Sequence, residues 1–233
     1  MISHNLQAVH QRIAQACASA GRVADSVRLL AVSKTFDAEA VQQAWSAGQL
    51  AFGENYVQEG VDKVRQLRSA GCAGLEWHCI GPLQSNKTRS VAEHFDWVQT
   101  VDRLRIAQRL SEQRPEGLAP LQVCVQVNVD GGATKSGVAP HEALELARAV
   151  AALPRLRLRG LMCIPEPEPD FDRACAVFGR ARALFEALQD QGLALDTLSM
   201  GMSGDLEAAI ASGSTMVRVG SAIFGARSYP VSG

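Results

Sequence analysis

Residues 27–48 read VRLLAVSKTFDAEAVQQAWSAG. The first half gathers β-branched and leucine residues over too few positions for a helix, and it closes on the polar Ser33 and Lys34. From Asp37 to Ala47 the pattern is helical, with Gly48 behind it as a stop. The stretch therefore reads as a strand followed by its return helix. Short apolar runs of the same kind recur at QLAFGEN, LEWHCIG, FDWVQTVD, LQVCVQVNVD, LRLRGLMCIP, LDTLSMG and TMVRVGS, most of them separated by helical patterns. The clearest of these helices places Phe171, Ala174, Phe178, Ala181, Phe185 and Leu188 three or four residues apart and stops at Gly192. Ahead of the first strand, Ile2, Leu6, Val9, Ile13 and Cys17 fall on one helical face that Gly21 ends. Eight alternating units in 233 residues predict an α/β fold, a single TIM-type (β/α)8 barrel over 28–227 with an extra N-terminal helix at 1–21. A doubly wound open sheet is the alternative.

Composition bounds what such a domain can do. The chain is 47% hydrophobic and 20% charged, with 23 basic and 24 acidic side chains. That balance, with no run of Lys or Arg, argues against nucleic acid or an anionic membrane as partner. No uninterrupted apolar stretch approaches the roughly 20 residues needed to cross a bilayer. The opening residues lack the charged start and apolar block of a secretory signal. A soluble, cytoplasmic protein is expected. The six cysteines, Cys17, Cys72, Cys79, Cys124, Cys163 and Cys175, form no C-x-x-C pair and are expected to be buried, reduced thiols.

In barrels of this type the chemistry gathers at the C-terminal ends of the strands. Lys34 closes the first strand on the face it shares with Leu30 and Val32. If that face points inward, its amine stands at the mouth, where a Schiff-base lysine would be placed. An exposed lysine or one arm of an ion pair is the alternative. Strand seven runs into Ser199-Met200-Gly201-Met202-Ser203-Gly204-Asp205, and strand eight into Arg218-Val219-Gly220-Ser221. Both deliver small residues and a hydroxyl to the start of a helix, where unpaired N–H groups favour an anion. Two such neighbouring turns suggest a phosphate site, although Ser203 and Ser221 could simply cap their helices. Arg218 lies one pleat before Gly220 and should point inward, needing a carboxylate or a ligand's ring nitrogen. Asn55, Lys87, Asn128, Lys135 and Met162 also fall at or just past strand ends. An amine, a phosphate cup and an arginine at one mouth suggest pyridoxal 5′-phosphate (PLP), with a lysine-dependent sugar-phosphate aldolase as rival.

The motifs AVSKT, FGENYVQE, WHCIGPLQSNK, TVDR, TKSG, GLMCIP, SMGMSGDLEAAI and VRVGSAIFGAR, in this order from about Leu29 to Tyr229, resemble the pyridoxal phosphate homeostasis protein family. The resemblance implies a single barrel similar to the N-terminal domain of alanine racemase, with PLP carried on Lys34. It further implies that Ser203, Gly220 and Ser221 contact the phosphate, that Arg218 meets the pyridine nitrogen, and that Asn55 and Met162 lie near the cofactor. Two departures stand out. Phe36 occupies a position where relatives often have a second lysine, and Gly131-Gly132 replaces an acidic residue before the lysine corresponding to Lys135. Whether Lys135 or Lys87 takes a second PLP is left open by the sequence. Racemases with a similar barrel add a β-rich domain and a tyrosine from a partner subunit. Here only Tyr56 and Tyr229 are available and few residues follow the eighth strand. The expectation is a non-catalytic, monomeric PLP carrier that supplies PLP-dependent apo-enzymes, with an amino-acid racemase or decarboxylase as the alternative.

Overall fold

The computed structural model describes residues 1–132 and 135–225; the expected barrel end at 227 and Tyr229 lie outside them. Strands β1 (Arg28–Val32), β2 (Ala51–Glu54), β3 (Glu76–Cys79) and β4 (Trp97–Val101) are followed by β5 (Leu121–Gln126), β6 (Leu156–Met162), β7 (Thr197–Met202) and β8 (Met216–Val219). All are parallel, each pairs with the next, and β8 pairs with β1, with Leu30 opposite Arg218. That last pairing closes the barrel and excludes the open sheet. Helix α1 (Ile2–Ser19) precedes the barrel. The strands are followed in turn by α2 (Ala38–Ser46), α3 (Val57–Ser69), α4 (Thr88–His94), α5 (Leu104–Gln113), α6 (Ala143–Ala151), α7 (Phe171–Asp190), α8 (Leu206–Ala211) and α9 (Ser221–Phe224).

The strand alternation sorts side chains into two unlike cores. Outward residues such as Leu29, Ala31, Val98, Val123 and Leu198 join the apolar helix faces in one large cluster. Inward residues form only small apolar groups, Leu30, Val32, Ala51, Ile80 and Met216 in one and Trp97, Cys124 and Met162 in the other. The remaining interior holds buried His78, Gln99, Ser199 and Arg218. Five cysteines are buried, Cys175 is half-buried, and all six are free thiols, as the sequence suggested. Burial pushes the Cys79, Cys124 and Cys163 thiols up to about 12.

Two local devices shape the C-terminal rim. β7 carries one extra residue: Ser199 pairs with Met216 and Met202 with Arg218, three positions against two. Met200 belongs to the outer core, and a Cβ at Gly201 would lie 2.5 Å from the Ala209 Cβ on α8, so two successive residues face outward. Met202 is thereby turned into the mouth. Gly201 has φ of 96°, a conformation that favours glycine.

The second device braces the turn after β1. The sequence reading carried this strand to Lys34, whereas it ends at Val32 and residues 33–36 make a turn closed by the Phe36 N–H donating to Ser33 O. Thr35 has φ of 69°, costly for a β-branched residue. Its N–H donates to Glu59 Oε1 at 2.6 Å. The buried Lys63 ammonium donates to Ser33 O, Glu54 Oε1 and Glu59 Oε1 at 2.8, 2.8 and 2.6 Å. The Ser33 hydroxyl also donates to Glu54 Oε1. Burial pushes the Glu54 carboxyl up to about 7 against the pull of Lys63 and Ser33, and its buried Oε2, which meets no hydrogen-bond partner among the described residues, can carry the proton.

Two outcomes are expected. Gly201→Ala introduces a strained φ and a steric clash, and thermal unfolding should register a loss of roughly 1–3 kcal/mol. Between the ordinary carboxylate value of 4.5 and about 7, folded Glu54 retains a proton that the unfolded chain has released. Its contribution to stability therefore falls as pH rises through that window. Urea titrations across it should show wild type losing on the order of 2 kcal/mol more than Glu54→Gln.

Candidate functional site

The C-terminal rim of the barrel encloses a cavity of about 260 Å³. Its walls bring together Lys34, Asn55, Ser203, Arg218, Gly220 and Ser221, six of the seven residues that the family resemblance put at the cofactor. They arrive from the ends of β1, β2, β7 and β8. Lys34 sits in the braced turn after β1, half-buried, one pleat above Val32 on the inward face, as the parity count required. Asn55 follows β2. A Cβ at Gly81 would lie 2.1 Å from the Asn55 carbonyl oxygen, so only glycine lets the chain after β3 pass so close. The Thr100 hydroxyl holds that segment by donating to Gly81 O at 2.8 Å. The Asn55 Oδ1 is buried without a hydrogen-bond partner among the described residues. Such an orphan at a cavity wall is suited to a donor brought by a ligand.

The two loops after β7 and β8 form another part of the wall. Ser203 and Gly204 precede α8, and Gly220 caps α9, so backbone N–H groups without helical partners converge on one side of the cavity. An acidic residue, Asp205, follows directly on Gly204. Its carboxylate accepts from the Met202 N–H at 2.6 Å, and Asp205 does not line the cavity. Helix α1 holds both loops. Arg12 donates to Ser203 O at 2.8 Å and to both carboxylate oxygens of Glu207, and the Asn5 amide donates to Ile223 O at 2.8 Å. Phe36 stacks on Phe224 of α9 with ring centroids 5.1 Å apart. The aromatic residue found where relatives often place a lysine thus ties the β1 turn to the loop after β8.

Arg218 is fully buried at the cavity floor. Its Nη1 donates to Ser199 Oγ at 2.8 Å and its Nη2 to Cys163 O at 2.9 Å. The carboxylate partner considered from sequence does not appear: among the described residues no Asp or Glu lies within ion-pair distance of it. Desolvation lowers its pKa, yet a guanidinium keeps its proton at neutral pH.

Met162 stands one step back from the mouth. It is buried with Trp97 and Cys124, and Ile164, which packs on this group, reaches the cavity instead. Lys135 pairs with Glu166 at 3.0 Å, and Lys87 is exposed; neither lines the cavity. Asn128 is a turn residue, accepting from Gly131 N and donating to Gly132 O. Sequence reading passed over Ile80, Ile164, Met202 and Gly204, which complete the lining. Strand parity from His78 and Met162 would have found the two isoleucines. No periodic signal marks Met202, because the extra residue in β7 reverses its facing.

A sequence profile described as alanine racemase, N-terminal domain, matches residues 4–228. The pyridoxal phosphate homeostasis protein of Escherichia coli is 57% identical over 228 residues, covering 98% of this chain and 97% of its own. That of Pseudomonas aeruginosa is 58% identical over 228 residues, covering 98% and 96%. Among solved structures, PipY of Synechococcus elongatus with PLP bound has a TM-score of 0.84 at 36% identity, over 97% of this chain and 100% of that one. Alanine racemase from Corynebacterium glutamicum, at 19% identity and TM-score 0.68 over 100% of this chain and 62% of its own, shares the fold. The match thus spans nearly the whole chain and exceeds half identity with the curated relatives: the chain belongs to the alanine racemase N-terminal domain family and, within it, to the pyridoxal phosphate homeostasis proteins.

Proposed function

We propose that this protein holds PLP reversibly at the barrel mouth through Lys34, buffers it in the cytoplasm and releases it to PLP-dependent apo-enzymes, without turnover of its own. The observation that carries this reading is the convergence of Lys34, Asn55, Arg218 and the two small-residue loops on one cavity. These groups fit the ligand feature by feature. Lys34 offers an amine for the aldehyde, and the loops holding Ser203, Gly204, Gly220 and Ser221 offer N–H and hydroxyl donors for the phosphate. The orphaned Asn55 Oδ1 suits the ring hydroxyl, Arg218 the ring nitrogen, and Val32, Ile80 and Ile164 the ring faces. PLP would supply an aldehyde carbon for the Lys34 amine, in a linkage that forms with release of water and that water can undo.

The lining also supports holding over turnover. Racemisation takes a proton from one face of the substrate carbon and returns one to the other, which calls for two acid–base groups. Among the described residues Lys34 is the one amine lining the cavity, and no His, Tyr, Cys, Asp or Glu lines it. Arg218, which does not give up its proton, leaves a ring nitrogen facing it unprotonated and so a weaker electron sink. Among the described residues no helix is long and apolar enough to cross a membrane.

Borohydride reduction of the PLP-loaded protein, followed by peptide mass spectrometry, should place the added mass on the peptide containing Lys34. Lys34→Ala should lose it there; a label spread over surface lysines would sink the assignment. The phosphate loops have their own check. Ser203→Ala combined with Ser221→Ala should weaken PLP about tenfold while leaving pyridoxal, which lacks the phosphate, nearly unchanged. Equal losses for both ligands would mean that these loops do not hold the phosphate.

A further inference from the structure

The interior of the barrel contains a chain of side chains that the site at the mouth does not itself require. Glu76 opens β3 at the N-terminal end, and Arg218 lies near the C-terminal end of β8. Between them, His78 Nε2 lies 2.7 Å from Glu76 Oε1, Gln99 Nε2 2.9 Å from His78 Nδ1, and Ser199 Oγ 2.6 Å from Gln99 Oε1. Arg218 Nη1 then donates to Ser199 Oγ at 2.8 Å. His78, Gln99 and Ser199 are fully buried.

Elementary hydrogen-bond accounting fixes the direction of every link. A carboxylate can only accept, so His78 carries its proton on Nε2. Its Nδ1 is then an acceptor, which turns the Gln99 NH2 toward the ring and the Gln99 oxygen toward Ser199. The other face of the Gln99 amide nitrogen meets Met216 Sδ at 3.2 Å. The single hydroxyl hydrogen of Ser199 goes to Gln99, so toward Arg218 Ser199 can only accept. Each link therefore donates toward Glu76. Burial lowers the His78 pKa and keeps the ring neutral, and its stacking on Trp97, with centroids 4.9 Å apart, fixes its plane. Burial also works against ionisation of Glu76, but the hydrogen bond from His78 and the Arg28 guanidinium at 2.9 Å outweigh it and hold the carboxyl below the usual carboxylate range.

We propose that Gln99 and Ser199 are positioning residues for Arg218: the one-way chain to Glu76 gives the guanidinium, which has no carboxylate within ion-pair distance among the described residues, an acceptor of fixed orientation, and so fixes which of its N–H groups face the ligand. This rests on the PLP reading for the identity of the ligand, but the chain itself can be read without it. Aligned links polarise one another, so a change at Gln99 reaches Arg218 although the two are joined only through Ser199.

The test is a double-mutant cycle on the full chain. Gln99→Met removes the central link while keeping a long side chain, and Ser199→Ala is the smaller change should the first fail to fold. Either variant should weaken PLP about tenfold and move the pH midpoint of the bound ligand's visible absorbance, and both effects should shrink to under about twofold in an Arg218→Met background. A loss of the same size with and without Arg218, or no loss at all, would overturn the proposal. Nitrogen NMR of the ligand-free protein separates this outcome from failure of the PLP reading. Wild type should show His78 protonated at Nε2, and Gln99→Met or Ser199→Ala should shift the Arg218 guanidinium signals. Should the wild-type chain take up no PLP, the function reading falls and these spectra decide the chain alone. Arg218 signals unmoved by both variants would refute it.

Discussion

A guanidinium that cannot shed its proton lies wholly buried inside a closed barrel, and the interior is organised around that fact. The cost of taking such a charge out of water is severe unless every donor finds an acceptor. Here the acceptors are a hydroxyl and a backbone carbonyl, not a carboxylate. The inner face of the sheet consequently gives positions to Ser199, Gln99 and His78 that an ordinary barrel would fill with branched aliphatics. Apolar packing is left to two small interior groups and, chiefly, to the large cluster between sheet and helices. Stability and binding are thus assigned to opposite faces of the same strands.

The mouth is shaped by braces that lie outside it. Lys63 and its two glutamates hold the turn that carries Lys34, including the unfavourable conformation of Thr35. Arg12 and Asn5 on α1 hold the loops after β7 and β8. Phe36 joins these two sides through Phe224. A site whose walls are fixed from behind loses little freedom when a ligand arrives, so more of the contact energy remains as affinity.

Much of this was legible in the sequence because it depends on local rules. Period-two and period-3.6 patterns located all eight strands and the leading helix. Parity along β1 and β8 placed Lys34 and Arg218 on the cavity side, and paired Gly-Ser turns marked the two loops. What escaped depends on contacts that no local pattern encodes. The extra residue in β7 has a conformational cause at Gly201 that becomes visible only once α8 is packed beside it. Ser199 meets Gln99 across 100 positions of sequence, and Lys63 reaches back 30 positions to Ser33. Met162 was expected beside the ligand, yet the strand end carries Ile164 past it to the cavity.

The fastening of α1 to the far end of the chain bears on biosynthesis. Asn5 reaches Ile223 over 218 positions and Arg12 reaches Ser203 over 191, while β1 finds its second neighbour only in β8. Contacts of such high order cannot form while the nascent chain is still emerging from the ribosome, however early the first helix appears. The barrel cannot close before β8 has been made, and the loop after β8 meets its support on α1 only once Ile223 is available. A chain cut short before β8 would lack Arg218, Gly220 and Ser221, and with them one wall of the cavity.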